Sequence, residues 1–312
     1  MKFLSVILCV AFLASSAYAA ETAAATPTNS TAADLVDQKL QKVLYPVVRV
    51  LNGSGGGSGT VVYSEDREGK GEFQNFVLTN HHVVDNLIHV EKVWDNLTRS
   101  YKFVEKNDLA EVELFAYANG GATVTKTAVK ADVVAYVATE DIALLKLRHT
   151  FKIEFTARIL PPGKNLRLFQ EIYAVGCPLL VDPMFTQGEV TDIENLIDNV
   201  AYTGGTANII WGNSGGAVMS QFGDEWYFCG IPSRGYGAQN GQFVTYLGYY
   251  IPPSRIQLFI TSQKLDFLVD PSKTPTQSME EREKIQSEKQ KVEEDTYPTP
   301  KSQIEGDREA KV

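Results

Sequence analysis

The chain has 312 residues, 44% of them hydrophobic and 21% charged, values of a folded globular protein rather than a disordered or collagenous one. A formal net charge of -9 argues against a nucleic-acid partner, which needs a basic footprint. Three cysteines (Cys9, Cys177 and Cys229) exclude a small disulfide scaffold, and the four histidines include no pair at metal-ligand spacing, so neither a metal nor a cofactor is expected.

Met1-Lys2, the apolar stretch Phe3 to Ala14 and the small-residue end Ala17-Tyr18-Ala19-Ala20 predict a cleaved signal peptide over 1–20. The apolar stretch is too short to cross ~30 Å of hydrocarbon, so no stable membrane insertion is expected after cleavage, and Cys9 leaves with the signal. The destination is then periplasmic or extracellular. Residues 21–33, rich in Ala, Thr and Ser, read as a flexible leader, with a short helix over Ala33 to Leu44. Asn29, Asn52 and Asn96 each stand in N-x-Ser/Thr, an acceptor pattern whose use depends on the source.

The middle of the chain reads as strands and turns. Tyr45 to Leu51 is a β-branched apolar run, followed by a turn over Asn52 to Gly59. The glycine-rich Gly53 to Gly59 lacks the Gly-Lys-Ser/Thr ending of a phosphate cradle and leads into a strand, so it reads as a flexible connection. Thr60 to Tyr63 and Phe76 to Thr79 flank a charged loop; Glu111 to Ala118 and Thr123 to Lys130 flank the hairpin signal Asn119-Gly120-Gly121. Further strands are predicted at Asp132 to Ala138, Ile142 to Leu147, Glu171 to Val175, Trp226 to Ile231 and Phe243 to Tyr250. Many short strands without alternating helices indicate an all-β barrel or sandwich. Ser254 to Leu268 reads as one helix with Ile256, Phe259, Ile260 and Phe267 on the face that packs on the second half of the domain. Residues 269–312 read as a charged, disordered tail, dispensable for catalysis, with partner binding as the alternative role, because even its most helical part, Met279 to Glu294, lacks an apolar stripe.

Three stretches bear chemistry. Asn80-His81-His82-Val83 ends an apolar strand, Asp141 precedes the buried strand Ile142 to Leu147, and Ser214 stands in Gly212-Asn213-Ser214-Gly215-Gly216. Singly, each is as readily structural: a core histidine, a turn acid, a loop serine. Together they supply what acyl transfer needs, namely a nucleophile, a base and a carboxylate that orients the base. The glycines let the Gly212 and Ser214 N–H groups converge as an oxyanion hole requires, with Asn213 shaping the loop.

These residues resemble the trypsin-like serine proteases, specifically the Deg/HtrA branch. Thr79-Asn80-His81-His82-Val83-Val84 is similar to its T-N-x-H-V-V motif, Asp141 to Lys146 to D-I-A-L-L-K, and Gly212 to Ala217 to G-N-S-G-G-A. Weaker matches are Lys42 to Val48, Ala174 to Pro178 and Tyr250 to Ser254, so the likeness covers Leu40 to Gln263. The resemblance implies a trypsin-like double β-barrel over 34–268 with a short C-terminal helix, one barrel ending near residue 150 and the other following it. It implies a serine endopeptidase acting on protein or peptide substrates through His82, Asp141 and Ser214, with Gly212, Asn213 and Ser214 forming the oxyanion hole. It also implies a substrate pocket with Asn208 at its base, Gly248 as a wall and Ser233, Arg234 and Gly235 as the strand that pairs with substrate. No Asp occupies the base, so a small or medium uncharged residue is expected before the scissile bond. The His-to-Asp interval carries an insertion at Glu91 to Ala110, either a substrate-facing loop or a packed surface addition. The stretch after Leu268 is too short for a PDZ domain, so peptide-gated regulation is not carried over.

Two other readings compete. One is an inactive protease fold used for binding or scaffolding. The other is an acyl hydrolase of the α/β type, whose G-x-S-x-G pattern Gly212 to Gly216 also fits, although the His-Asp-Ser order and the strand-rich pattern disagree with it. Cys177 and Cys229 are either bridged or two buried thiols.

Overall fold

The computed structural model describes residues 32–296 apart from 98 and 238–242. The expected signal peptide, residues 21–31 of the expected leader with Asn29, and residues 297–312 of the expected tail lie outside the described residues. Helix α1 (Ala32–Lys39) runs into a wider turn over Leu40–Leu44, and the first barrel follows. Its strands are β1 (Val47–Leu51), β2 (Gly56–Glu65), β3 (Gln74–Thr79), β6 (Ala110–Tyr117), β7 (Thr123–Val137) and β8 (Ile142–Leu147), closed in the order β1-β2-β3-β8-β7-β6. Between β3 and β6 stands a separate two-stranded sheet, β4 (Ile88–Asp95) with β5 (Ser100–Asn107).

The second barrel comprises β9 (Glu171–Gly176), β10 (Met184–Ile197), β11 (Val200–Gly205), β12 (Ala217–Phe222), β13 (Glu225–Gly237) and β14 (Phe243–Ile251), closed as β10-β11-β14-β13-β12-β9. All pairings within both barrels are antiparallel, and closure removes the exposed edges that open sheets must protect. This is the expected trypsin-like double barrel, and it overturns the α/β reading, which needs a mainly parallel sheet. Among the described residues no helix is long and apolar enough to cross a membrane.

The structure corrects or completes several readings of the sequence. The glycine-rich stretch is not a flexible connection: β2 begins at Gly56. A Cβ on Gly57 would stand 2.8 Å from the Ser214 carbonyl oxygen, and one on Gly59 2.5 Å from Val77 Cγ1, so the glycines serve close packing. Asp132 to Ala138 is not a separate strand but the end of β7, which a bulge between Val133 and Ala135 bends around the barrel. The insertion is the β4–β5 sheet, with Val90, Trp94, Tyr101 and Phe103 exposed on one of its faces. Strands β10, β11 and β12 have no counterpart among the predicted elements.

The predicted C-terminal helix is two pieces, α2 (Pro253–Ser262) and a 3-10 turn over Asp266–Leu268, separated where Lys264 adopts φ 56°. The predicted apolar face is buried, but it does not serve the second barrel alone. Phe267 lies 5.1 Å from the Tyr63 ring and 4.8 Å from the Phe76 ring, both in the first barrel.

The tail reading is also corrected, over its described residues 269–296. Helix α3 (Pro275–Thr296) follows, and its start is docked. Thr274 and Gln277 form a reciprocal capping box: the Gln277 N–H donates to Thr274 Oγ1 (3.3 Å) and the Thr274 N–H to Gln277 Oε1 (3.2 Å). Arg282 donates to the carbonyls of Gln263 (2.6 Å) and Val134 (3.1 Å), and Pro275 and Ser278 are buried. Hydrogen bonds to main-chain carbonyls replace the missing apolar stripe. Arg282→Ala should therefore lower the Tm by roughly 3–8 °C, the worth of a charged, partly buried hydrogen-bond donor in a domain of this size. An unchanged melting curve would show the α3 contact to be idle.

Cys177 and Cys229 are both free and buried, which settles the open alternative. Burial pushes the Cys177 thiol up to about 12, and the Cys229 thiol also upward. A thiol reagent should count both groups in denatured, unreduced protein and react with neither at an appreciable rate in the native state at pH 8.

Candidate active site

His82 sits in the 3-10 turn His81–Val83 that ends β3. Its Nδ1 lies 2.9 Å from each Asp141 carboxylate oxygen, and its own backbone N–H donates to Asp141 Oδ1 at 3.0 Å. Asp141 joins the turn Ala138–Glu140 to β8 in the left-handed conformation, φ 55°. Asn80, fully buried, donates its side-chain amide to the Asp141 carbonyl at 2.8 Å and so pins that residue against the histidine turn. The adjacent His81 does not face the carboxylate; its ring lies 5.2 Å from that of Tyr136.

The Asp141 side chain is 18% exposed and that of His82 45%. Burial alone would push the Asp141 carboxyl up. Hydrogen bonds from the His82 ring and backbone and from the Ser233 hydroxyl outweigh it, and the carboxyl titrates below its ordinary value. The Ser233 bond measures 2.8 Å, to Oδ2. Ser233 is also where the β13–β14 ladder slips register between Pro232 and Arg234. A bulge there frees Ser233 from the ladder and turns its side chain to Asp141.

Ser214 lies in the loop between β11 and β12, docked on the start of β2 and, at Gly215, on the end of β3. The Ser58 N–H donates to the Ser214 carbonyl (2.8 Å), and the Ser58 hydroxyl donates to the Gly212 carbonyl (2.6 Å) while accepting from the Cys177 N–H (2.7 Å). The Ser58 carbonyl accepts from Thr79 Oγ1 at 2.7 Å. Gly212 (φ 93°) and Gly215 (φ 85°) need their missing side chains: a Cβ would meet the Cys177 carbonyl oxygen at 2.4 Å in the first case and the Ser58 carbonyl oxygen at 2.2 Å in the second.

The N–H groups of Asn213, Gly215 and Gly216 are engaged by Ile210, Pro232 and Asn213 carbonyls. Those of Gly212 and Ser214 donate no hydrogen bond among the described residues. Nor does a hydrogen bond join Ser214 Oγ to His82 there. Nucleophile–base contacts often tighten only when substrate binds.

The residues expected to line a substrate pocket fall as follows. Gly248 pairs with Gly205 and with Gly235, and Ile209 and the buried Tyr250 ring lie against it. Asn208 is exposed, and its carbonyl accepts from Thr186 Oγ1 at 2.7 Å. Arg234 spends its guanidinium on Asp198 (2.9 Å), over the Tyr202 ring.

Sequence reasoning missed Ser58, which sits in the stretch read as a connection, and it placed Ser233 in the pocket without its tie to Asp141. It also missed Arg255. This buried residue of α2 donates to the Glu140 carboxylate (2.6 Å), the Glu140 carbonyl (2.6 Å) and the Ala201 carbonyl (3.2 Å), and thereby fastens the turn before Asp141 to the second barrel. Among the described residues no group of His, Cys, Asp and Glu could hold a metal ion.

The MamO protease domain from Magnetospirillum magneticum, in its apo form, aligns with a TM-score of 0.47 at 19% identity, over 70% of this chain and 96% of that one. No curated protein matches the sequence. Residues 57–231, which hold His82, Asp141 and Ser214, match the family model of the trypsin-like peptidase domain, and the chain belongs to that family.

Proposed function

We propose that the protein is an exported serine endopeptidase of the Deg/HtrA type, with His82, Asp141 and Ser214 as its triad. The observation that carries the reading is the His82–Asp141 pair, in which Nδ1 lies 2.9 Å from both carboxylate oxygens, leaving Nε2 as the ring nitrogen that Asp141 does not engage. In this reading Ser214 Oγ attacks a peptide carbonyl while His82 Nε2 takes its proton. Asp141 stabilises the imidazolium, with Ser233 holding the second carboxylate oxygen. The N–H groups of Gly212 and Ser214 receive the oxyanion. His82 then passes its proton to the leaving amine, and water, activated by the same base, releases the acyl group from Ser214.

Asn208 and Gly248, backed by Tyr250 and Ile209, suit a small or medium uncharged side chain before the scissile bond. The competing reading, a protease fold used only for binding, is separated from this one by a fluorophosphonate probe: labelling at Ser214 supports catalysis, and a native protein that neither takes the label nor cleaves casein is a binder.

Ser214→Ala should lower turnover by roughly 10⁴- to 10⁶-fold with the fold intact, because triad members act as a unit. His82→Ala should be damaged comparably, and His81→Ala should keep most of the activity. A reversal of the two histidine results would move the base to His81. The rate should fall on the acid side through one protonation, since the base must be neutral to accept the serine proton.

The depressed Asp141 carboxyl also has a consequence for stability. A carboxylate held below its unfolded value near ~3.9 stabilises the fold above that pH, and the contribution disappears as pH falls through the folded value. The stability difference between wild type and Asp141→Asn should be flat above about pH 5 and should shift against the wild type below about pH 4. A difference that stayed constant down to pH 2 would show the carboxyl to be unperturbed.

A further inference from the structure

The direction of the Gly212 N–H is set by a bond made on the other side of its peptide unit. A trans peptide is planar, so the Trp211 carbonyl and the Gly212 N–H point in opposite directions and turn together. The Leu179 N–H donates to the Trp211 carbonyl at 2.7 Å. Whatever fixes Leu179 therefore fixes the proposed oxyanion donor.

Leu179 belongs to the turn Pro178–Leu180, and its conformation is costly. Leu179 (φ 52°) and Leu180 (φ 58°) are consecutive left-handed residues, neither of them glycine. Each such residue is sterically disfavoured and persists only where its surroundings over-determine it. Two hydrogen bonds inside the turn, Leu180 N–H to Cys177 and Val181 N–H to Pro178, close it locally. The bond from outside comes from the first barrel: Arg49, on β1, donates Nη1 to the Leu180 carbonyl.

Arg49 is itself held. It is 6% exposed and stands directly across the β1–β6 ladder from Glu113, whose carboxylate takes its guanidinium. Burial pushes the Glu113 carboxyl up, but bonds from Lys126 and Arg49 outweigh it, so the carboxyl titrates below its ordinary value and the pair is charged at neutral pH. The Phe115 ring lies under the guanidinium at 5.5 Å. A planar fork can serve a carboxylate and a carbonyl at once, whereas a lysine ammonium on a shorter reach cannot hold both in that geometry.

We infer that Arg49 is a positioning residue for catalysis: anchored by Glu113, it holds the Leu180 carbonyl, keeps the left-handed Leu179–Leu180 turn in place, and through the Leu179–Trp211 bond keeps the Gly212 N–H turned into the oxyanion pocket. This inference rests on the proposed roles of Ser214 and Gly212. It makes the alignment of the two barrels a condition of activity, because the residue that orients the donor belongs to the opposite barrel.

The test compares Arg49→Met, Arg49→Lys and Glu113→Gln with wild type and with Ser214→Ala, on one peptide amide substrate, with folding followed by circular dichroism and thermal melting. Arg49→Met should lower kcat by about 10- to 100-fold with KM within about twofold, since a misdirected donor weakens transition-state binding and leaves ground-state binding alone. Affinity for a peptide aldehyde, which forms the oxyanion adduct, should fall by a similar factor, while a non-reacting peptide should bind as it does to wild type. Arg49→Lys should not restore kcat, and Glu113→Gln should lower it by a smaller factor.

A folded Arg49→Met with wild-type kcat overturns the inference, as does a loss confined to KM. If Arg49→Met fails to fold, wild-type kcat in both Arg49→Lys and Glu113→Gln overturns it equally. Wild-type hydrolysis by Ser214→Ala would instead defeat the reading of the site itself. An inactive Ser214→Ala beside an unaffected Arg49→Met defeats only the role of Arg49.

Discussion

The site depends on a seam between two closed barrels, and one buried serine joins it. Ser58, on β2, uses its N–H, hydroxyl and carbonyl together, reaching Ser214, Gly212, Cys177 and Thr79. Three of those partners belong to the second barrel and one to the end of β3. Each bond is worth only about 0.5–1.5 kcal/mol net, but a buried donor or acceptor left unpaired costs more, so the arrangement is specified more strongly than it is stabilised. Such close backbone approach leaves no room for side chains, which explains Gly57, Gly212 and Gly215. The glycines are a consequence of the seam, not of a need for flexibility.

On either side of Ser58 the seam is crossed in opposite directions. Arg49 leaves the first barrel and ends on the Leu180 carbonyl beside the Ser214 loop; Arg255 leaves the helix after the second barrel and ends on Glu140 beside Asp141. Each barrel thus orients a part of the site that the other carries. Buried ion pairs are poor sources of net stability because desolvation offsets their attraction, but breaking one leaves an uncompensated charge. Sliding of the barrels would break the Arg255–Glu140 pair, and it would pull Arg49, which stays paired with Glu113 inside its own barrel, off the Leu180 carbonyl; both contacts therefore resist the motion that would separate His82 from Ser214.

The sequence made different parts of this legible for different reasons. Strand β8 was predicted with its observed bounds because a central strand buried on both faces reads as an unbroken apolar run. Strand β10 escaped because most of its residues are partly or fully exposed and polar ones interrupt the apolar ones, so no alternation marks it; β11 is mostly buried, but its sequence is short and ends in two glycines, which read as a turn. The stretches bearing His82, Asp141 and Ser214 stood out through composition and order. Ser233 and Ser58 did not, because a serine's role depends on what the fold brings to its hydroxyl. Gly53 to Gly59 shows the ambiguity most plainly: glycine marks both a loose connection and a tight backbone contact, and only the neighbours distinguish them.

Arginine was the least legible residue, and for one physical reason. Arg49 donates to the Leu180 carbonyl, Arg67 to those of Phe267, Asp270 and Lys273, Arg255 to those of Glu140 and Ala201, and Arg282 to those of Gln263 and Val134. The Arg67 and Arg282 acceptors lie mostly at turns and helix ends, where carbonyls lose their regular partners. Hydrophobic periodicity carries no trace of such contacts, since an arginine on an apolar strand or a charged helix looks like any solvated cation. The stretch after Asp270 was read as a tail on that basis. It is held because Arg67 and Arg282, from opposite ends of the chain, bind main-chain oxygens that apolar burial alone would have left unsatisfied. A chain can therefore order a segment that has no apolar stripe, provided that the fold presents unpaired carbonyls to it and the segment, or its neighbour, supplies a multidentate donor.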